Sequence, residues 1–216
     1  MALGAQARVE VDHVLIAVDD LAEADRALRS AHGLSSIEGG LHPDWGTANR
    51  IVPLGDAYIE LVAVVDDSQA SRTAFGRWVG EVLRPCLLGW AARTSELDIV
   101  ARRLNLVPTK GERARPDGQT VRWRIAGIEH AAETPFLPFF IEWDRETSLP
   151  GRAHAAHAEG PMQLAGLQFT GPAEQLGTWL GPHELAIEIG PGAPAMEAVV
   201  LTGASGAAIV LERVPF

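Results

Sequence analysis

The chain has 216 residues, 47% hydrophobic and 21% charged, which is a globular composition of a length that supports a full core. Its 18 Lys and Arg against 28 Asp and Glu give a net charge of -10, which excludes a general binder of nucleic acid or anionic membrane. One cysteine, Cys86, excludes an intramolecular disulfide and any Cys-based zinc site, and with no apolar run of ~20 residues the expectation is a cytoplasmic protein that does not enter the membrane.

In chain order, His13 to Leu21 reads as a buried strand ending at an acidic residue. A short amphipathic helix follows, with Asp20 as N-cap, Leu21, Ala24, Ala27 and Leu28 on one face, and Gly33 at its end. After the turn-rich Glu38-Gly39-Gly40, apolar runs over 48–54 and 57–65 flank Gly55-Asp56, a hairpin signal. Residues 10–65 thus read as a βαβββ module. A second module is expected over 86–144, with a strand from Gly89, a helix over 97–106, a strand over 121–125 entered through Pro116-Asp117-Gly118, and a last strand over 139–143. Residues 145–161, polar with two prolines and two glycines, read as a linker. Residues 162–216 read as a third, partial module of strand, helix and three strands that extends the sheet or covers an edge.

A βαβββ module leaves one sheet face uncovered, so two side by side are expected to form a curled mixed sheet with a concave pocket and helices outside, an α+β fold. Aligning the helix starts Asp20-Leu21 and Glu96-Leu97 sets His13 against Gly89. Aligning the closing strands sets Glu60 against Glu142. Glu60 is the more informative of these acids, because every neighbour from Ala57 to Val64 is apolar. A carboxylate buried there needs water or a cation, since leaving it unpaired costs several kcal/mol. Solvent on that face, or pairing with Arg50, Arg122 or Arg124, is the structural alternative. Glu142 repeats the anomaly within Phe139 to Trp143.

The segment His13-Val14-Leu15-Ile16-Ala17-Val18-Asp19-Asp20-Leu21 resembles the opening strand of the vicinal oxygen chelate superfamily, which includes glyoxalases, extradiol dioxygenases and bleomycin-resistance proteins. Gly39 to Pro43, Gly46 to Arg50 and Leu54 to Leu61 are similar, more narrowly, to the glyoxalase-like domain family. The resemblance implies paired βαβββ modules around a divalent metal that acts as a Lewis acid on neighbouring substrate oxygens. Carried over position by position, it makes His13, Glu60 and Glu142 the metal ligands, while Gly89 in the fourth position cannot ligate. One imidazole and two carboxylates suit Mn, Fe, Zn, Co or Ni, although members of the superfamily without metal exist.

Glu60, Glu142 and His42 are therefore the expected catalytic groups, one glutamate leaving the metal to act as base. Trp45, Asn49 and Arg50 are the expected substrate-binding groups, the polar ones for a carbonyl or carboxylate oxygen and Trp45 for an apolar body. The alternative for this cluster is loop chemistry, with Trp45 folded onto the core. His154 and His157 read as exposed linker residues, one of which could approach the pocket.

The expected function is that of a divalent-metal-dependent enzyme of lyase, isomerase or dioxygenase type acting on a small oxygenated metabolite. The alternatives are a metal-free binder of the bleomycin-resistance type and a scaffold whose pocket side chains have filled. The expected partner is a small-molecule substrate or ligand, with a homodimer possible.

Overall fold

The structure, a computed structural model, describes residues 7–114, 118 and 120–216. The expected turn at Pro116-Asp117-Gly118 falls largely outside them.

Two βαβββ runs build the larger sheet. The first comprises β1 (Glu10–Ala17), α1 (Leu21–His32), β2 (Ile37–His42), β3 (Thr47–Leu54) and β4 (Ala57–Val64). Two short helices follow, α2 (Asp67–Ala70) and α3 (Ala74–Glu81), where no helix is read from the sequence. The second run comprises β5 (Cys86–Arg93), α4 (Leu97–Leu104), β6 (Thr109–Ala114), β7 (Thr120–Ala126), α5 (Ile128–Glu133) and β8 (Phe139–Trp143).

The eight strands close into a barrel in the order β1-β4-β3-β2-β6-β7-β8-β5. Each run has its first strand parallel to its last, β1 with β4 and β5 with β8, and the runs join where β1 lies antiparallel to β5 and β2 meets β6. The fold class is thus the expected curled mixed sheet with helices outside. The Asp20 carboxylate accepts from the Glu23 amide and so caps α1, and Gly33 ends that helix in the left-handed conformation.

Strand alternation divides the core in two. Leu15, Ala17, Val62, Ala91, Phe139 and Ile141 point into the barrel, where Phe75 and Trp78 of α3 and Ile128 and Ala131 of α5 plug one end. Val14, Ile16, Ile59, Leu61, Trp90 and Phe140 point outward and carry α1 and α4.

The C-terminal region differs from the expectation that it extends the large sheet or covers its edge. Its elements, β9 (Met162–Thr170), α6 (Ala173–Leu180), β10 (Ile187–Gly190), β11 (Ala195–Gly203) and β12 (Ala208–Glu212), make a separate four-stranded sheet of order β10-β9-β11-β12. Its inner face, with Leu167, Phe169, Met196, Val199 and Leu201, packs on the barrel's outer core at Trp90, Phe136 and Phe140. A closed barrel has no edge to extend, so the third set of strands had to find a face instead.

The segment between barrel and small sheet is anchored rather than loose. The Gly151 carbonyl accepts from the Gly55 amide, and no side chain fits there because a Cβ would overlap the Ala57 carbonyl. His157 is buried, against the expectation of an exposed linker histidine. Its Nδ1 accepts from the Ser35 amide at 3.1 Å, which leaves Nε2–H to donate to the Pro53 carbonyl at 3.0 Å. Burial lowers its pKa below the ordinary value, consistent with the neutral tautomer these bonds require.

Candidate functional site

Among the inward-facing strand positions, His13, Asn49, Tyr58 and Glu60 bring polar chemistry into an otherwise apolar barrel. They line a cavity of about 30 Å³ together with His42, Arg113 and a wall made by Trp45, Phe75, Trp123, Phe139 and Trp143. That space admits a water or two and leaves larger occupants dependent on movement of side chains.

A bulge at the start of the barrel organises the polar groups. The pairing of β1 with β5 skips a residue between Val11 and His13, and Asp12 and His13 are both buried at this irregularity. Asp12 Oδ1 lies 2.7 Å from His13 Nδ1 and accepts its proton. Its other oxygen accepts from Trp143 Nε1 at 2.9 Å and from Arg93 Nη1 at 3.3 Å. The imidazole is stacked on the Tyr58 ring, with centroids 4.6 Å apart, and meets Phe139 edge-on. Ring orientation is thereby fixed by one hydrogen bond and two aromatic walls.

His13 Nε2 then faces Glu60 Oε2 at 3.4 Å. Two lone pairs opposed at that distance in a dry site repel, so the pair is stable with one proton on Nε2 or on Oε2. Glu60 is 5% exposed, and its second oxygen accepts from Asn49 Nδ2 at 2.5 Å. The Asn49 carbonyl oxygen faces Arg113 Nη1 at 3.4 Å, so the amide lies between an acid and a cation, each opposite the end of matching polarity.

His42 completes the chain. Its Nδ1 is 3.0 Å from Thr47 Oγ1, and its Nε2 is 3.5 Å from Asn49 Nδ2. Burial pushes its pKa down to about 4, assisted by the Arg113 and His13 charges and opposed by Glu60, so the ring is neutral at pH 7. Burial likewise raises the Tyr58 phenol well above its ordinary value, which leaves the ring as an apolar wall. Among the described residues, no buried side-chain nitrogen or oxygen lacks a hydrogen-bond partner.

The structure thus brings together five of the expected site residues, His13, Glu60, His42, Asn49 and Trp45. Two do not join them. Glu142 is on the outer face of β8, because Phe139, Ile141 and Trp143 take the inward positions of that strand. There it accepts from Arg124 at 2.8 Å, and Arg124 is shared with Asp98 of α4 at 3.0 Å. The alignment of Glu60 with Glu142 is off by one residue, which in a strand reverses the face. Arg50 lies outward on β3, donating to the Ser36 hydroxyl at 2.7 Å and to the Ser36 carbonyl, with Asp25 of α1 nearby. It ties a strand to the helix above it rather than touching the pocket.

The metal expected from the resemblance does not fit this donor set. Glu142 is turned away, and Gly89 leaves its place to the ring of Trp78, whose edge atoms lie 2.7 Å from where a Cβ would stand. Both nitrogens of His13 already face carboxylates. Among the described residues, no three His, Cys, Asp or Glu side chains converge on one point.

Asp12, Tyr58 and Arg113 are site residues that the sequence reading passed over. Asp12 had a signal in its adjacency to His13 before an apolar strand. Arg113 lies within β6, a strand with no apolar alternation, and gave none.

The model of the glyoxalase-like domain matches residues 11–183, well over half the chain. No curated protein matches the sequence. A hypothetical protein from Staphylococcus aureus has the same fold, with a TM-score of 0.72 at 15% identity over 94% of this chain and 98% of that one. Methylmalonyl-CoA epimerase from Mycobacterium tuberculosis aligns at 22% identity and a TM-score of 0.46, covering 66% of this chain and 92% of its own. The Streptomyces coelicolor epimerase bound to 2-nitronate-propionyl-CoA aligns at 15% identity and 0.47, over 66% and 100%. The last two are too loosely superposed to inform the site. No helix among the described residues is long and apolar enough to cross a membrane. On the extent of the family match and the closed barrel of two βαβββ runs, the chain belongs to the glyoxalase-like domain family of the vicinal oxygen chelate superfamily.

Proposed function

We propose that this protein is an enzyme that moves a proton on a small oxygenated metabolite, with Glu60 and His13 as the acid–base pair. The observation that carries the reading is the buried 3.4 Å approach of His13 Nε2 to Glu60 Oε2 in an aromatic-walled cavity, with Asp12 holding the far side of the ring. Glu60 accepts a proton from a carbon next to a carbonyl. The electron pair of that C–H bond passes to the carbonyl oxygen, which takes a proton from His13 Nε2; the proton on Glu60 is then delivered to carbon, or passes across the 3.4 Å gap to His13 so that the pair is restored. The low polarity of the walls strengthens every charge interaction at the reacting atoms. No step in this reading uses a metal ion, because the donor set leaves two candidate ligands, both engaged by neighbours.

The test is deuterium exchange. Incubated in D₂O with a panel of small ketones, 2-oxo acids and hydroxyketones, the wild-type protein is expected to label the carbon beside the carbonyl of at least one compound. Glu60→Gln and His13→Ala should each lower that rate by on the order of 10²–10⁴. Labelling unchanged in Glu60→Gln sinks the proposal.

A second reading, a binder of an aromatic compound, is favoured by one observation, the continuous ring surface of Trp45, Phe75, Trp123 and Trp143. It predicts saturable binding of an aromatic compound that survives Glu60→Gln undiminished, with no labelling of any compound by the wild type.

A further inference from the structure

Histidines apart, Glu60 is the acidic and Arg113 the basic side chain that line the cavity. Arg113 is 6% exposed, and a guanidinium taken that far out of water needs anionic or strongly polar company. The nearest acid in the cavity is Glu60, yet the two are not placed as an ion pair. The Asn49 amide is interposed, its oxygen at 3.4 Å from Arg113 Nη1 and its nitrogen at 2.5 Å from Glu60 Oε1. A direct bidentate pair would hold Glu60 ionised and geometrically occupied, and so suppress it as a base. Separation by an amide leaves the carboxylate available to a carbon acid and leaves the guanidinium facing the same cavity with its fork of donors. On its far side Arg113 borders a separate space of about 100 Å³ lined by Glu38, Ser148 and Arg152.

We infer that Arg113 binds the carboxylate of the substrate, and that the substrate class is a short 2-oxo acid, or a close oxygenated relative, whose acidic carbon is presented to Glu60. The inference rests on the proton-transfer reading above and names the compound that reading leaves open. A planar carboxylate matches the guanidinium fork, and Asn49 fixes the offset between the anchored end and the base. The C–H proton passes to the Glu60 carboxylate, the electron pair of the broken bond becomes the enolate, and the substrate carboxylate on Arg113 takes no part in bond making.

Binding and exchange are measured separately on the intact protein. Pyruvate and phenylpyruvate are each compared with the corresponding neutral amide, by tryptophan fluorescence from the cavity wall and by thermal shift. The wild type is expected to bind at least one acid in preference to its amide by on the order of tenfold or more. Arg113→Met should abolish the preference, and Arg113→Lys, which keeps the charge without the fork, should retain part of it. Glu60→Gln should keep the preference while losing deuterium labelling. Equal binding of acid and amide by the wild type, no saturable binding of either acid, or a preference that survives Arg113→Met in a folded variant overturns the inference. The two readings fail differently. Acid-selective binding without labelling by the wild type sinks proton transfer and leaves the carboxylate anchor standing, whereas equal labelling of acid and amide sinks the anchor alone.

Discussion

Gly39 and Asn49 face each other across the β2–β3 pair so closely that a side chain on the glycine would occupy the space of the amide. A Cβ at Gly39 overlaps Asn49 Oδ1 and comes within 2.8 Å of its Cγ and 2.7 Å of its backbone oxygen. The pairing of β2 with β3 skips a residue here, between Glu38 and Gly40, so the glycine is the irregularity that lets Asn49 turn toward Glu60. Gly39→Ala is therefore expected to cost about 1–3 kcal/mol, read by urea denaturation, and to impair any activity that depends on Glu60. Gly177→Ala is the contrasting control. It lies in α6 with nothing within 4 Å of the added methyl, and should raise stability by about 0.5–1 kcal/mol.

The two glutamates that the sequence makes equivalent are expected to behave differently. Glu60→Gln removes the acceptor from the cavity and should abolish labelling of substrate in D₂O. Glu142→Gln weakens a partly exposed pair with Arg124 on the outer face, and should leave labelling intact and change stability by less than about 1 kcal/mol. Equal loss of activity in both would contradict the placement of β8.

His42 gives stability a pH dependence of definite sign. Its folded pKa of about 4 is below the ordinary 6.5, so the unfolded chain binds the proton more readily and stability falls as pH drops from about 6.5 toward 4. The full contribution is about 3 kcal/mol. The lowered pKa of His157 acts in the same direction. Denaturation midpoints at pH 7 and pH 4.5 in the wild type, His42→Asn and His157→Asn check this, each variant flattening part of the slope. A wild type more stable at pH 4.5 than at pH 7 would show that neither ring is held neutral.

Gly89 and Trp78 make the barrel one-sided. Gly89→Ala drives a methyl into the Trp78 ring, where the nearest atoms are 2.7 Å away, and is expected to destabilise by about 1–3 kcal/mol. Trp78→Ala, which opens a space beside the same strand, should cost about 3–5 kcal/mol, and combining it with Gly89→Ala should cost less than the sum of the two. Additive losses would mean that the two residues do not meet.

Much of this architecture was legible in the chain. Strands with β-branched runs, the Asp20 cap and the Gly55-Asp56 turn follow from local chemistry, and Glu60 announced itself by being acidic among apolar neighbours. What was not legible depends on parity and on distant contacts. Glu142 looked like Glu60 because both interrupt apolar strands, but β8 is covered on both faces, so its neighbours do not reveal which face the acid takes. Glu38-Gly39-Gly40 read as a turn because glycines cluster there, whereas both glycines sit within β2 and Gly39 makes room for Asn49. Arg113 acquires its role from the meeting of β6 with β2, which leaves no local mark, and Asp12, beside His13 in the chain, is brought into the site by the bulge in β1.

Closure of the barrel has a consequence for self-association. Most of its strands are paired along both sides, with β2 meeting β6 at Leu41 and Ala114, whereas among the described residues β10 and β12 are the outer strands of the smaller sheet, each with a neighbour on one side alone. The β12 rim exposes Val210 between two other outward-facing residues. Intermolecular strand pairing on heating should start there, and Val210→Lys should delay turbidity.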